Sequence, residues 1–477
     1  MKAQLLNATS TTTTGACRRF AALVLASLLT STLVLHAADN DYVAHEWGTF
    51  TSIQGGDGVL LDWNGVATSD LPPFVYDWSR AGLQRFSPLM LLKGGLSSRQ
   101  RMETPVIYFY PEKPMTVDVA VQFPKGTITE WFPQAAEVGP SFRQPGRILA
   151  SLDNAASRAG VNPNPTLAAL LGEPPVTNSV IRWKNFTVLP AKQHSDLVNQ
   201  LPTDAKESHY FAARTEDAAF VRVNSLERTN PAPEIEKFLF YRGVGNFPSP
   251  LKVTMNEQGA ITVTNAGGLP LKHLFAVAIH GDRATVVPLG NLESSQTRST
   301  RLEQPDSKPA GDTIKNLRKQ MADALVAEGL YRAEAEAMVN TWRDAWFEDQ
   351  GVRILYILPR AWTDATLPIT LKPQPRELVR VMVGRAEVIT PAMAEQVAGC
   401  IEGFRQSDPA AKQNAIREFR AMKLGRFAPV ALRLAGSRTK DAKFFELGAG
   451  LIEAAAKAEA ASASASQPAR RLAASGG

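Results

Sequence analysis

Apolar positions recur at two different periods along this chain, and the change of period divides it. From Tyr42 to about Leu302 the pattern is that of strands and turns. Val106–Tyr110 is an apolar run after Pro105. Thr116–Phe123 alternates, with Val117, Val119, Val121 and Phe123 on one face, as a half-buried strand requires. Pro124-Lys125-Gly126 is a turn signal, and Ile128–Phe132 is expected as the partner strand. Two further hairpins are predicted: Leu251–Met255 with Ile261–Thr264, and Leu274–Ile279 with Ala284–Leu289. Arg143–Pro175, rich in Ala, Asn and Pro, reads as a loop insertion with a short helix near Thr166–Leu171.

The helical period begins at Asp312. Ile314, Leu317, Met321 and Leu325 make one stripe, and Gly329 is placed to end that helix. Tyr331, Ala335, Met338, Val339, Trp342 and Trp346 make a second stripe, so an αα-hairpin is predicted. Strands resume at Val352–Leu358 and Leu378–Ile389. Thr390-Pro391 and Asp408-Pro409 each put a capping side chain before a proline, and helices are predicted at 391–406, 409–423, 427–435 and 442–460. Hairpins in series point to an antiparallel β-sandwich. The expected organisation is therefore mainly β: a sandwich over 39–311, a helical-hairpin insertion over 312–349, strands rejoining the sandwich over 350–390, a small all-α domain over 391–460, and a disordered Ala/Ser-rich tail over 461–477.

The N-terminus sets the expected compartment. Arg18-Arg19 precede the uncharged run Phe20–Leu35, and His36-Ala37-Ala38 follow it. The run falls short of the roughly 20 apolar residues a spanning helix needs. It therefore reads as a signal peptide over 1–38, cleaved near Ala37/Ala38. The expected location is periplasmic or extracellular. The alternative is an uncleaved N-terminal anchor, and membrane contact is expected only through such a retained signal.

Composition changes the picture little. Without Lys2, Arg18 and Arg19 the chain keeps 49 Lys/Arg against 46 Asp/Glu. From Pro391 onward there are 13 Lys/Arg and 8 Asp/Glu, a mildly basic helical part that suits a solvated surface better than a face for an anionic membrane or wall polymer. No nucleic-acid partner is expected. Past the signal the chain has one cysteine, Cys400, so no internal disulfide forms. Its spacing with Val397, Ile401 and Phe404 puts it on the apolar face of a helix.

Candidate chemistry is sparse. His45-Glu46 lacks the second histidine one helical turn on that a zinc-binding helix requires, since Thr49 stands there. In a strand, His45 shares a face with Val43 and Trp47 and Glu46 shares the other with Tyr42 and Phe50, so the two diverge unless Gly48 marks a bulge. Gly55-Gly56-Asp57-Gly58 fits a tight turn better than a cation loop or a phosphate cradle. No metal site and no cofactor is expected. Charges within or beside apolar runs are the stronger clue: Arg214, Asp217, Arg242, Glu348 and Arg353. Buried charges need partners, so these five are expected to gather where the helical insertion meets the sheet. They would form either an ion-pair network or a cleft in which Asp217 and Glu348 act as acid and base, with His45 and Glu46 as weaker catalytic candidates. Arg214, Arg242, Arg353 and Trp47 are the candidate binding residues. Trp47, Trp63, Trp78, Trp131 and Trp183 fall in the first half, where exposed indoles would stack on sugar rings and buried ones would fill a core.

The string His45-Glu46-Trp47-Gly48-Thr49-Phe50-Thr51-Ser52 resembles the start of the mature chains in a family of exported bacterial proteins. Phe238-Leu239-Phe240-Tyr241-Arg242-Gly243-Val244-Gly245, Trp346-Phe347-Glu348, Arg353 and Pro359-Arg360 extend the resemblance over most of the mature chain. It implies an exported bacterial location and carries no activity, ligand or catalytic residue with it. The function expected from the sequence is non-catalytic binding of an envelope polysaccharide or a protein partner. The alternative is a secreted hydrolase with a carboxylate pair in a cleft between the helical insertion and the sandwich.

Overall fold

In a computed structural model, which describes residues 42–65, 71–77, 97–139, 178–225, 232–302, 308–437, 439–441 and 443–473, the chain is mainly β, with large sheets and several C-terminal helices. The signal segment 1–38, Trp78, the 143–175 insertion and the end of the tail lie outside the described residues.

The strand Tyr42–Gly55 is buried along its whole length, which places it at the centre of a sheet covered on both faces. It pairs antiparallel with Gln100–Pro111 and parallel with Glu377–Ile389. The parallel pair corrects the wholly antiparallel expectation. A parallel partner needs a long crossover, and here more than 300 residues separate the two strands. Hairpin signals carry no trace of so distant a pairing. The ten strands run in the order 308–309, 283–292, 271–280, 351–358, 377–389, 42–55, 100–111, 239–245, 126–132 and 76–77.

A second sheet contains 234–236, 220–223, 179–189, 115–123 and 369–372, with Glu137–Gly139 added to 179–189. Met115–Phe123 and Gly126–Phe132 therefore part company, contrary to the predicted hairpin. The first pairs with Ser179–Leu189 and Ile369–Lys372, the second with Leu239–Gly245. Their burial explains the split. Met115–Phe123 buries every second residue, whereas Gly126–Phe132 is buried throughout and needs a place in the doubly covered sheet. The hairpins 251–264 and 274–289 form as read. The first pairs further with Thr297–Arg301 in a three-stranded sheet.

The alternation in Tyr42–Gly55 allots each face its cover. Tyr42, Ala44 and Phe50 pack in one core with Val117, Val119, Val121, Ile181 and Trp183 of the second sheet. Trp47 turns the other way, into a core with Leu317, Met321, Met338 and Trp346 of the helices Ala310–Ala327, Arg332–Thr341 and Arg343–Phe347. The second predicted stripe is thus broken at Trp342, whose ψ of 14° leaves the helical region. Ile53, Trp63 and Ile389 join a third core with the C-terminal helices Pro391–Arg405, Pro409–Ala421, Ala428–Gly436 and Phe444–Ala473. Thr390 and Asp408 cap as their spacing requires, and Cys400 is buried in this core. The last helix continues past Ala460, where the sequence reading begins a disordered tail. Its alanine-rich composition favours the helical state. No helix among the described residues is long and apolar enough to cross a membrane.

Candidate anion-binding cleft

The face of the large sheet that looks toward the helices is not uniformly apolar. In Gln100-Arg101-Met102-Glu103, Met102 enters the core between the sheets, so alternation sends Arg101 and Glu103 to the opposite face. Register extends this charged face across the sheet. Thr51 lies between Arg101 and Arg385, Thr49 opposite Glu103, and Arg353 opposite Glu387. Arg353 Nε donates to Glu387 Oε1 at 2.8 Å and Arg385 Nε to the same oxygen at 2.5 Å. Burial alone would raise the Glu387 carboxyl, but Arg353 and Arg385 hold it below the usual carboxylate range.

Glu103 is saturated. It accepts from Thr51 Oγ1 at 2.6 Å and from Arg426 Nη1 and Nη2 at 2.5 and 3.3 Å, and lies 3.1 Å from Arg101 Nε. Burial opposes its charge, yet Arg426 and Arg101 hold it well below the usual range. Burial in turn brings Arg101 down to about 10, with Glu103 opposing that fall. Arg426 arrives from the C-terminal half, on the short turn Gly425–Phe427, and its guanidinium lies 5.3 Å from the Trp63 ring and 5.1 Å from Phe427.

Arg242, on the strand Leu239–Gly245, is buried and donates through Nη2 to His209 Nε2 at 2.8 Å. A guanidinium only donates, so Nε2 accepts and the neutral ring carries its proton on Nδ1. Burial, with Arg242 beside it, lowers His209 to about 3. The ring stacks on Trp342 with centroids 5.8 Å apart, and Trp342 stacks on Trp346.

These groups line a cavity of about 340 Å³. Arg101, Glu103 and Arg242 come from the sheet, His209 from the short helical turn His209–Ala213, Thr341 and Trp342 from the helix break, and Arg426 and Phe427 from the C-terminal turn. Exposed Asp344, Asp349 and Lys423 and the half-buried Gln350 also line it. Trp342 Nε1 and Thr341 Oγ1 are buried there with no hydrogen-bond partner among the described residues, and Arg385 Nη1 is equally unpartnered nearby. Arg385 meets the cleft through Asp349, which it contacts at 3.2 Å, and through the Phe427 ring. Such a set of donors around a small polar cavity suits an acceptor-rich, negatively charged group.

The residues singled out in the sequence are dispersed. His45 Nδ1 lies 2.7 Å from Glu334 Oε2, while Glu46 accepts from Arg380 Nε and from Tyr241, both at 2.5 Å. The pair diverges because the bulge opposite Gly48 falls on the neighbouring strand, at Thr104-Pro105, and leaves the alternation of Tyr42–Gly55 intact. The expected gathering of five charges does not form. Arg214 pairs with Glu236 at 2.7 Å and Arg353 with Glu387, neither of them among the five. Asp217 is exposed. Glu348 is exposed too, 3.5 Å from Arg343. Of the five, only Arg242 lines the cleft. The counter-charges come instead from other strands and from the neighbouring turn. Trp47, Trp63, Trp131 and Trp183 fill cores rather than a sugar-binding face. Apart from the alternation Arg101-Met102-Glu103 ahead of an apolar strand, nothing in the sequence pattern sets Arg101, Glu103, His209 or Arg426 apart, and it places Trp342 only in an apolar helical stripe.

No protein-family model matches this chain, and no curated protein matches it. Among solved structures it is similar to the Mu homology domain of Fcho1 from Danio rerio, solved with a bound Eps15 peptide. The match has 7% identity and a TM-score of 0.25, covering 73% of this chain and 96% of that one.

Proposed function

We propose that this chain is an exported, non-catalytic binding protein of the bacterial envelope that holds an anionic ligand in the arginine-lined cleft. In this reading the two large sheets form a sandwich, the helices of residues 310–347 form a hairpin insertion on one face, and the cleft opens between that insertion, the sheet and the C-terminal turn. The observation that carries the reading is one cavity lined by Arg101, Arg242 and Arg426 together with the acceptor-less indole N–H of Trp342. Export is supported by Arg18-Arg19, the apolar run Phe20–Leu35 and Ala37-Ala38, with cleavage at that point.

The hydrolase alternative has less support. Asp217 and Glu348 are exposed, and Glu103, the buried carboxylate of the cleft, is held deprotonated with its oxygens occupied. Such a group has neither a proton to give nor a lone pair aimed at a substrate.

The test is thermal unfolding in titrations of citrate, acetate, phosphate and sulfate at constant ionic strength. At least one anion should raise Tm saturably in the natural protein and fail to do so in Arg242→Gln. If none gives a saturable rise, the cleft holds no small anion, and the reading fails unless a larger carboxylated ligand binds there.

A further inference from the structure

The cleft's mixed polarity narrows the ligand, and we infer that it takes a carboxylated sugar, a hexuronate unit of an acidic polysaccharide. This deepens the anion-binding reading and rests on it. Three features of the cavity act together. Arg242 reaches it from the strand Leu239–Gly245 and Arg426 from the turn Gly425–Phe427, and guanidinium groups match the planar fork of a carboxylate. The buried rings of Trp342 and Phe427 line the cavity beside these cations and keep its inner end apolar between the charges. Among its exposed lining groups the cavity carries two carboxylates, Asp344 and Asp349, against one ammonium, Lys423, with the half-buried amide of Gln350.

Those last groups decide between anions. A site built only to attract charge gains nothing from rim carboxylates, and they repel a sulfate or phosphate group brought near them. They are good acceptors for hydroxyl hydrogens. A ligand that is acidic at one end and polyhydroxylic along its ring satisfies the arginines and the rim at once. Asp349 is held in place by the buried Arg385, so that acceptor is positioned in advance. His209 contributes through its tautomer. With Nε2 taken by Arg242, the neutral ring has one remaining polar atom, the Nδ1 donor. Trp342 Nε1 adds another donor suited to a carboxylate or ring oxygen. The cavity volume of about 340 Å³ lies at the small end of ligand sites, matching a monosaccharide or disaccharide unit.

Isothermal titration of the mature chain separates the outcomes. The probes are tri-galacturonate, maltotriose as its neutral counterpart, and glycerol 3-phosphate and sulfate as other anions. The expected result is saturable binding of tri-galacturonate at least about tenfold tighter than maltotriose or the phosphate and sulfate probes. Trp342→Phe, which keeps an aromatic ring and removes the N–H, should weaken it by about tenfold, the worth of one hydrogen bond. Asp344→Asn, an exposed change, should weaken tri-galacturonate while sulfate binds no more weakly than before, because a repelling charge is gone. If glycerol 3-phosphate or sulfate binds and tri-galacturonate does not, the uronate assignment falls while the anion cleft stands. Equal binding of maltotriose and tri-galacturonate also overturns it, because charge is then not read. If none of the probes binds and citrate gives no thermal shift, the anion-binding reading itself fails.

Discussion

At the scale of single residues, the decisive feature is that buried charges on the large sheet find partners remote in sequence, on adjacent strands, helices and turns. Arg353, fully buried, gives Nε to Glu387 and its Nη groups to the carbonyls of Trp346, Asp349 and Gln350. Removing one member strands the other charges in a low-dielectric interior, so Glu387→Ala should cost roughly 3–5 kcal/mol. Denaturant unfolding measures it, and a loss below about 1 kcal/mol would mean that the pair is solvated. His209 gives a pH signature with a definite sign. Its folded pKa of about 3 lies below the unfolded value near 6.5, so the unfolded chain takes up a proton first. The stabilisation from neutral His209 is present above about pH 6.5 and is lost as pH falls toward 3. Between pH 7.5 and 5.0 the natural protein should lose roughly 1 kcal/mol more than His209→Gln, water in the cleft reducing the full linkage value. Identical pH profiles would place a proton on the ring in the folded state. Neither pairing was legible in advance. Arg242 and Arg353 stand out in sequence as charges within apolar strands, but His209 and Glu387 reach them only through the fold.

At the scale of elements, caps and one-sided alternation were legible and strand pairing across the molecule was not. Thr390-Pro391 and Asp408-Pro409 start helices because the capping side chain and the proline act within a few residues of each other. The hairpins 251–264 and 274–289 are equally local. Met115–Phe123 and Gly126–Phe132 are joined by a two-residue link that resembles a hairpin turn, yet the chain changes sheets there. Gly126 makes the crossing possible: a Cβ on it would lie 2.3 Å from the Phe123 ring, which is fully buried between the sheets. A comparable constraint sits at Gly384, where a Cβ would fall 2.2 Å from the buried Tyr356 ring on the adjacent strand. Gly384→Ala should therefore destabilise by about 1–3 kcal/mol through overpacking. Tyr356→Leu in the same background should restore part of the loss. An unchanged unfolding midpoint in Gly384→Ala would show that the ring has room to move.

At the scale of the whole molecule, the sequence divides the chain where its period changes, near Pro391, and sets the helices after it apart as a domain. The contacts across that boundary are of a kind that periodicity cannot report. Ile53 and Ile389 of the sheet share a core with the C-terminal helices. Arg426 closes on Glu103, which a strand more than 300 residues earlier supplies, and Arg433 donates to the carbonyl of Asp62. Arg385, on the closing strand, lies 5.6 Å from the Phe427 ring. These links tie the helices to the strands that floor the cleft, so the cleft exists only when both parts are folded and docked. Cooperative unfolding is the consequence. Heating should give one calorimetric transition whose van't Hoff and calorimetric enthalpies agree, and removing residues 391–477 should leave a chain that does not fold. Glu103→Gln tests the link at its centre. It weakens the acceptor for Arg426 and leaves Arg101 with a neutral neighbour, so the single transition should fall in temperature without splitting. If that variant unfolds in two steps, with the helices melting first, the C-terminal part is an independent domain held to the sheet chiefly by this ion pair.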